Sequence, residues 1–234
     1  MRILRFALGL AFTLWAAGLV VILSWVRGPS RAWELMGHRW ARSLMRICGV
    51  EIQVGGEVNL VGPAVFVANH QSFLDPMLLT AVLPVQTKWV AKAEFRRVPI
   101  LGTAFGACAI YIDRRDPSAA RAALSDALDA LPPGWSVAVF PEGTRSPDGE
   151  LQAFKKGVVH LATQLRLPVI PLGVVADSRT LPRAPGLIRP GVVRIEVGQA
   201  VSTQVWSADE AGLRAGEVQA AVAECVARAK SPPS

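Results

Sequence analysis

Ala64-Val65-Phe66-Val67-Ala68-Asn69-His70-Gln71-Ser72-Phe73-Leu74-Asp75 joins a short apolar run to a polar turn that carries an imidazole and a carboxylate. The run has the length and the β-branched and aromatic content of a buried strand, and open α/β sheets bind their ligands at such strand ends. In a continuous helix five positions are about 500° of rotation, so His70 and Asp75 would point apart. A turn between them is needed if they are to touch. Gln71 and Ser72 can supply it, with Ser72 as the N-cap of a helix through Phe73, Leu74, Met77, Leu78 and Leu79. Asp75 then sits in the first helical turn and accepts a hydrogen bond from one ring nitrogen of His70, leaving the other to take a proton. The same residues also fit a bland reading, a polar strand end followed by a helix carboxylate that the macrodipole favours.

A second stretch repeats the layout. The apolar run Ser136-Val137-Ala138-Val139-Phe140 leads into Pro141-Glu142-Gly143-Thr144-Arg145-Ser146. Pro141 and Gly143 fix a tight turn whose amides can face a ligand, and the Arg145 fork suits a phosphate. Alternatively this is a surface turn continuing into Pro147-Asp148-Gly149.

Together the two stretches resemble the first and third signature blocks of the PlsC-type glycerolipid acyltransferases, the 1-acyl-sn-glycerol-3-phosphate acyltransferases, whose first block is a His-x4-Asp pattern. Ala109-Ile110-Tyr111-Ile112-Asp113-Arg114 is similar to the second block and Val169-Ile170-Pro171-Leu172 to the fourth, in the family's order. The resemblance runs from about Ile52 to Val201. It implies acyl transfer from a coenzyme A or acyl carrier protein thioester to the hydroxyl of a lysophosphatidate, giving phosphatidate. No cofactor is implied, since the thioester is already activated. His70 is implied as the general base and Asp75 as its orienter. Arg114, Glu142, Gly143, Thr144 and Arg145 are implied as contacts of the glycerol phosphate. Lys92, ending Lys88-Trp89-Val90-Ala91-Lys92, is placed either to meet the same phosphate or to be a solvated strand-end lysine. In the tandem Arg114-Arg115, one arginine is expected to be solvated.

Other chemistry finds less support. Gly134-Trp135-Ser136-Val137-Ala138 lacks the final glycine of a nucleophile elbow and precedes its strand, which argues against a serine hydrolase. His38, His70 and His160 are the only histidines, with no i, i+4 pair, and Cys48, Cys108 and Cys225 are scattered, so no metal is expected. His160 reads as structural or solvated. The odd, scattered cysteines suit a reducing compartment.

Phe6 to Val26 carries no charge over 21 residues, about 31 Å as a helix, against a hydrocarbon core of about 30 Å. Trp15 and Trp25 add aromatic anchors. A cleaved signal peptide is the rival reading, and the poor exit at Ser24-Trp25-Val26 argues against it. From Arg31 to Gly49, Trp33, Met36, Trp40, Leu44 and Ile47 recur at helical spacing opposite Arg31, Arg39, Arg42 and Arg46. That pattern suits an ordinary core-facing helix. Its place after a membrane run favours the interface of an anionic bilayer, and the two segments can also form a hairpin dipping into one leaflet. Positive charge just after the apolar run places the catalytic part on the cytoplasmic side of the inner membrane. A net charge of +7 and a pI near 10.0 also permit nucleic-acid binding, but no nucleic-acid motif is present.

The 234 residues, 51% hydrophobic, divide into a membrane anchor at 1–49, a catalytic domain at 50–230 and a frayed tail at 231–234. The fold class is α/β, a mixed and largely parallel sheet flanked by helices. Strands are expected at Ile52 to Val54, Ala64 to Ala68, Thr87 to Ala91, Ala109 to Ile112, Ser136 to Phe140, Val169 to Val175 and Val192 to Val197. Asp116 is the expected cap of a helix carrying Leu124, Leu128 and Leu131. Ser207 and Glu210 have the pattern of a capping box for a last helix with Val218, Val222 and Val226 inward. Two alternatives to lysophosphatidate acylation stay open: acylation of another lysolipid, such as a lyso-ornithine lipid or a lysophospholipid, and a non-catalytic membrane lipid-binding protein.

Overall fold

Seven apolar stretches become strands in the computed structural model, which describes residues 2–113, 115–146, 148–182, 188–207 and 209–231. Arg114 and the tail from Pro232 onward lie outside them. The strands are β1 (Val50–Gly55), β2 (Val65–Ala68), β3 (Thr87–Lys92), β4 (Ala109–Ile112), β5 (Ser136–Val139), β6 (Val169–Ala176) and β7 (Gly191–Val197). They form one sheet in the order β1-β7-β6-β2-β5-β3-β4. Every pair is parallel except β6 with β7, so β1 and β7 run against the other five.

The central strand β2 is buried at all four residues, which is why it reads as a continuous apolar run instead of an alternating one. Phe66 and Ala68 face one hydrophobic layer, with Leu78 and Leu79 of α3 (Asp75–Val82). Val65 and Val67 face the other, with Val158 and Leu161 of α6 (Gly157–Leu165) and Val218 and Val222 of α7 (Ala211–Lys230). A short helix α4 (Leu101–Phe105) belongs to the first layer, and α5 (Pro117–Asp129) presents Leu128 to the second. Asp116 caps α5 as expected, accepting from the amides of Ser118 and Ala119, each at 3.0 Å.

Two caps differ from the sequence reading. The helix after β2 begins at Asp75, with Leu74 in the cap position, because the Ser72 hydroxyl accepts from Leu74 N and donates to Pro182 O instead. The capping box of Ser207 and Glu210 does not form. α7 starts at Ala211, and the Glu210 carboxylate pairs with Arg214 one turn on, at 3.2 Å.

α1 (Arg2–Arg27) and α2 (Pro29–Cys48) fold back on each other about Gly28, whose φ of 81° is a conformation that suits glycine. Trp40 Nε1 donates to Thr13 Oγ1 at 3.3 Å across the hairpin. The apolar face of α2, expected at a bilayer interface, is buried in the protein. Trp33, Trp40 and Leu44 join the first layer, and both indoles meet the Phe105 ring, with centroids 6.1 and 5.2 Å away. α2 is also tied to the sheet layer by Arg42 Nε to Ala81 O at 2.8 Å and by Trp135 Nε1 to Glu34 Oε1 at 3.2 Å. An apolar stripe buries against the nearest matching surface, and here that surface is protein. α1 keeps its own outward apolar face, with Leu4, Leu8, Trp15, Ile22 and Trp25 exposed.

Candidate active site

After β2 the chain crosses to β3 through α3, and after the adjacent β5 it crosses to β6 through α6, on the opposite face. Connections that leave neighbouring strands in opposite directions open a crevice at their carboxyl ends. His70 follows β2 there, and Phe140 follows β5.

Asn69 sets the exit. Its buried side chain donates from Nδ2 to Val174 O at 2.9 Å and accepts Val174 N on Oδ1 at 2.7 Å. It imitates a peptide group and extends the β2–β6 ladder one step beyond the backbone. The main chain is then free to turn, and His70 lies above the strand end.

The five-residue spacing closes as the turn requires. His70 Nδ1 lies 2.9 Å from Asp75 Oδ2, and the same oxygen accepts the amides of Gln71 and Ser72, each at 2.8 Å. The Asp75 side chain is 0% exposed and that of His70 18%. Three donors on one oxygen offset the cost of burying the carboxylate. Asp75 accepts, so Nδ1 carries the proton and Nε2 is the nitrogen that can receive one. Asp75 Oδ1 has no hydrogen-bond partner among the described residues.

Glu142 is not turned toward solvent, where contact with a phosphate would put it. It is 3% exposed, and its carboxylate accepts His70 N at 2.7 Å on one oxygen and Gln152 N at 3.3 Å on the other. Burial pushes its pKa up, and the two amides pull it partly back. Ser146 N donates to His70 O at 2.9 Å. The imidazole stacks on Phe140, with centroids 4.1 Å apart and planes at 17°, and Phe140 stacks in turn on Trp89 at 5.6 Å.

The expected phosphate contacts divide. Thr144 and Arg145 are exposed at the turn, and Arg145 immediately precedes the serine bonded to His70. Gly143 has φ 76°, and Lys155 lies over it with Nζ 2.6 Å from where a Cβ would stand, so a side chain there would displace the ammonium. Lys155 escaped the sequence reading, and its only signal was a basic pair just before α6. Lys92 ends β3 three residues beyond Trp89, which pairs with Ala138; its side chain is 61% exposed and sits 3.3 Å from Glu94. Arg115 is exposed and pairs with Asp113 at 3.0 Å, holding that carboxyl down at about 2. His160 is exposed on α6. Among the described residues no cluster of His, Cys, Asp or Glu could hold a metal ion, and the three cysteines are buried thiols.

Residues 51–175 match the family model described as Acyltransferase. The chain is 32% identical over 198 residues to a 1-acyl-sn-glycerol-3-phosphate acyltransferase of Limnanthes douglasii, covering 84% of this chain and 70% of that one. It is 31% identical over 222 residues to the human 1-acyl-sn-glycerol-3-phosphate acyltransferase beta, covering 92% and 77%. The crystal structure of the 1-acyl-sn-glycerophosphate acyltransferase PlsC from Thermotoga maritima superposes with a TM-score of 0.78 over 100% of both chains, at 25% identity.

Proposed function

Since the chain belongs to the acyltransferase family, we propose that it moves a fatty acyl group from a coenzyme A or acyl carrier protein thioester to the sn-2 hydroxyl of 1-acyl-sn-glycerol 3-phosphate, giving phosphatidate for phospholipid synthesis. The observation that carries this reading is the 2.9 Å contact of His70 Nδ1 with a fully buried Asp75 at the carboxyl end of the sheet. Nε2 takes the hydroxyl proton as the oxygen attacks the thioester carbonyl carbon. The tetrahedral oxyanion collapses, the carbon–sulfur bond breaks, and the imidazolium returns its proton to the departing thiolate. Asp75 holds the tautomer throughout and stabilises the imidazolium. A placed general base contributes about 10²–10⁴-fold, and the rest comes from holding acceptor and donor in line. No covalent enzyme intermediate and no metal or organic cofactor is needed, because the leaving group is a thiolate.

The acceptor phosphate is assigned to the exposed side of the Gly143–Arg145 turn, with Thr144, Arg145 and the Lys155 ammonium, and to Arg114 and Lys92. The outward apolar face of α1, with exposed Trp15 and Trp25, is assigned to the bilayer. The arginines that follow α1 support a place for the catalytic part on the cytoplasmic face of the inner membrane.

The test is an assay of the purified full-length protein in anionic vesicles, offering lysophosphatidate, lysophosphatidylcholine and a lyso-ornithine lipid with acyl-coenzyme A and with acyl carrier protein donors. Lysophosphatidate is expected to be the preferred acceptor. His70→Ala is expected to lose about 10²-fold or more in turnover while floating with the vesicles as before. Preference for another lysolipid would overturn the acceptor, and near-normal turnover of His70→Ala would overturn the mechanism.

A further inference from the structure

We infer that Glu142 and Phe140 are positioning residues for His70, so that the buried half of the 140–146 loop serves the base and only its exposed half serves the phosphate. This rests on the proposed role of His70 as the base.

The loop grips His70 at three separate points. Glu142 Oε1 accepts its amide at 2.7 Å, Ser146 N donates to its carbonyl at 2.9 Å, and the Phe140 ring lies under its imidazole at 4.1 Å. Asp75 fixes Nδ1 from the other side. Ring, ring nitrogen, amide and carbonyl are all held, which leaves Nε2 one direction in which to point.

Glu142 is chemically unsuited to a phosphate. Both its oxygens are acceptors and each already has a backbone donor, so neither has a proton to offer a phosphate oxygen. When ionised it would repel a phosphate dianion, and at 3% exposure it has no path to one. Its second bond, to Gln152 N, ties the base to the segment running into α6, so one carboxylate clamps two loops.

Phe140 adds an electrostatic element. It is 9% exposed and lies between His70 and Trp89, whose Nε1 donates to Thr80 Oγ1 of α3 at 3.1 Å, so the column of rings is anchored in the core. During the reaction the imidazole becomes a cation, and a cation over an aromatic face is stabilised by the ring quadrupole. Phe140 therefore holds the plane of the ring and supports the imidazolium as it forms in the reaction.

The experiment uses full-length Glu142→Gln, Glu142→Ala, Phe140→Leu and Phe140→Tyr in vesicles, with kcat and KM for both substrates and thermal melts. Loosening the base by about 1 Å costs on the order of 10²-fold, so Glu142→Ala is expected to lose about that much kcat and the isosteric Glu142→Gln less. KM for lysophosphatidate should stay within about twofold, the signature of an effect confined to the chemical step. Phe140→Leu should lower kcat roughly 3–30-fold at unchanged KM for lysophosphatidate, since the imidazolium has lost its aromatic face, and Phe140→Tyr, which keeps the ring, should restore it. A rise in KM for lysophosphatidate at unchanged kcat in either Glu142 variant would return Glu142 to the phosphate and overturn the inference. So would unchanged kcat in Glu142→Ala or in Phe140→Leu. If Glu142→Ala does not fold, Glu142→Gln decides alone by its kcat and KM. Retained activity in His70→Ala would instead remove the base itself, so the two failures are distinguishable.

Discussion

The loops after β2 and β5 are neighbours in the sheet, and each buries one carboxylate, yet the two acids do different work. Asp75, with no exposure, gathers a ring nitrogen and two amides on a single oxygen. Glu142, nearly as buried, spends both oxygens on backbone amides from two segments. The first acid addresses the imidazole and the second addresses the chain that carries it. The difference shows that the partners of a buried carboxylate, more than its burial, decide whether its loss is felt as chemistry or as placement.

The sharpest way to break this contrast is Asp75→Asn. The Asn oxygen can keep the three donors but carries no charge to stabilise the imidazolium, so kcat should fall by about 10²-fold or more with little change in either KM. Activity within about tenfold of the parent, in the vesicle assay, would mean that Asp75 serves only the turn. Arg145→Ala probes the exposed half of the second loop. Losing a charge-assisted contact of about 1.5–3 kcal/mol should raise KM for lysophosphatidate roughly 10–10²-fold and leave the donor KM alone. An unchanged acceptor KM would take Arg145 out of the site.

The smallest effect concerns pH. Burial raises the Glu142 pKa above its ordinary value, so within that window the folded protein binds more protons than the unfolded chain, and stability falls as pH rises. Glu142 therefore favours the fold most below the ordinary carboxylate range and less as pH climbs through its raised pKa. Melting temperature measured against pH should show a slope in the parent that Glu142→Gln lacks. A parallel pair of curves would show that Glu142 meets the same surroundings folded and unfolded.

The sheet was legible because its strands are short runs rich in Val, Ile and Ala between Pro and Gly turns, and all seven appear within a residue or two of their expected ends. The His70–Asp75 contact was legible as well, since a turn of this length leaves two side chains five apart few other partners. Glu142 was not, because its partners are backbone amides, one of them 72 residues away, and backbone donors carry no mark in a sequence. Ser72 misled for a related reason: its hydroxyl had a choice between a helix cap and Pro182 O, 110 residues on, and only the packing of that distant loop decides it. The α2 face was ambiguous on principle, because an apolar stripe has the same spacing whether it meets lipid or protein.

The α1–α2 hairpin is bolted across the sheet layer through Glu34, Trp40 and Arg42, with only Gly49 between α2 and β1. If α1 rests in lipid as proposed, the crevice stands at one fixed height and tilt above the bilayer, like an instrument on a rigid mount. The enzyme then has no vertical travel of its own, and the distance between the membrane plane and Nε2 must be covered by the lysolipid, sliding partway out along its own acyl chain.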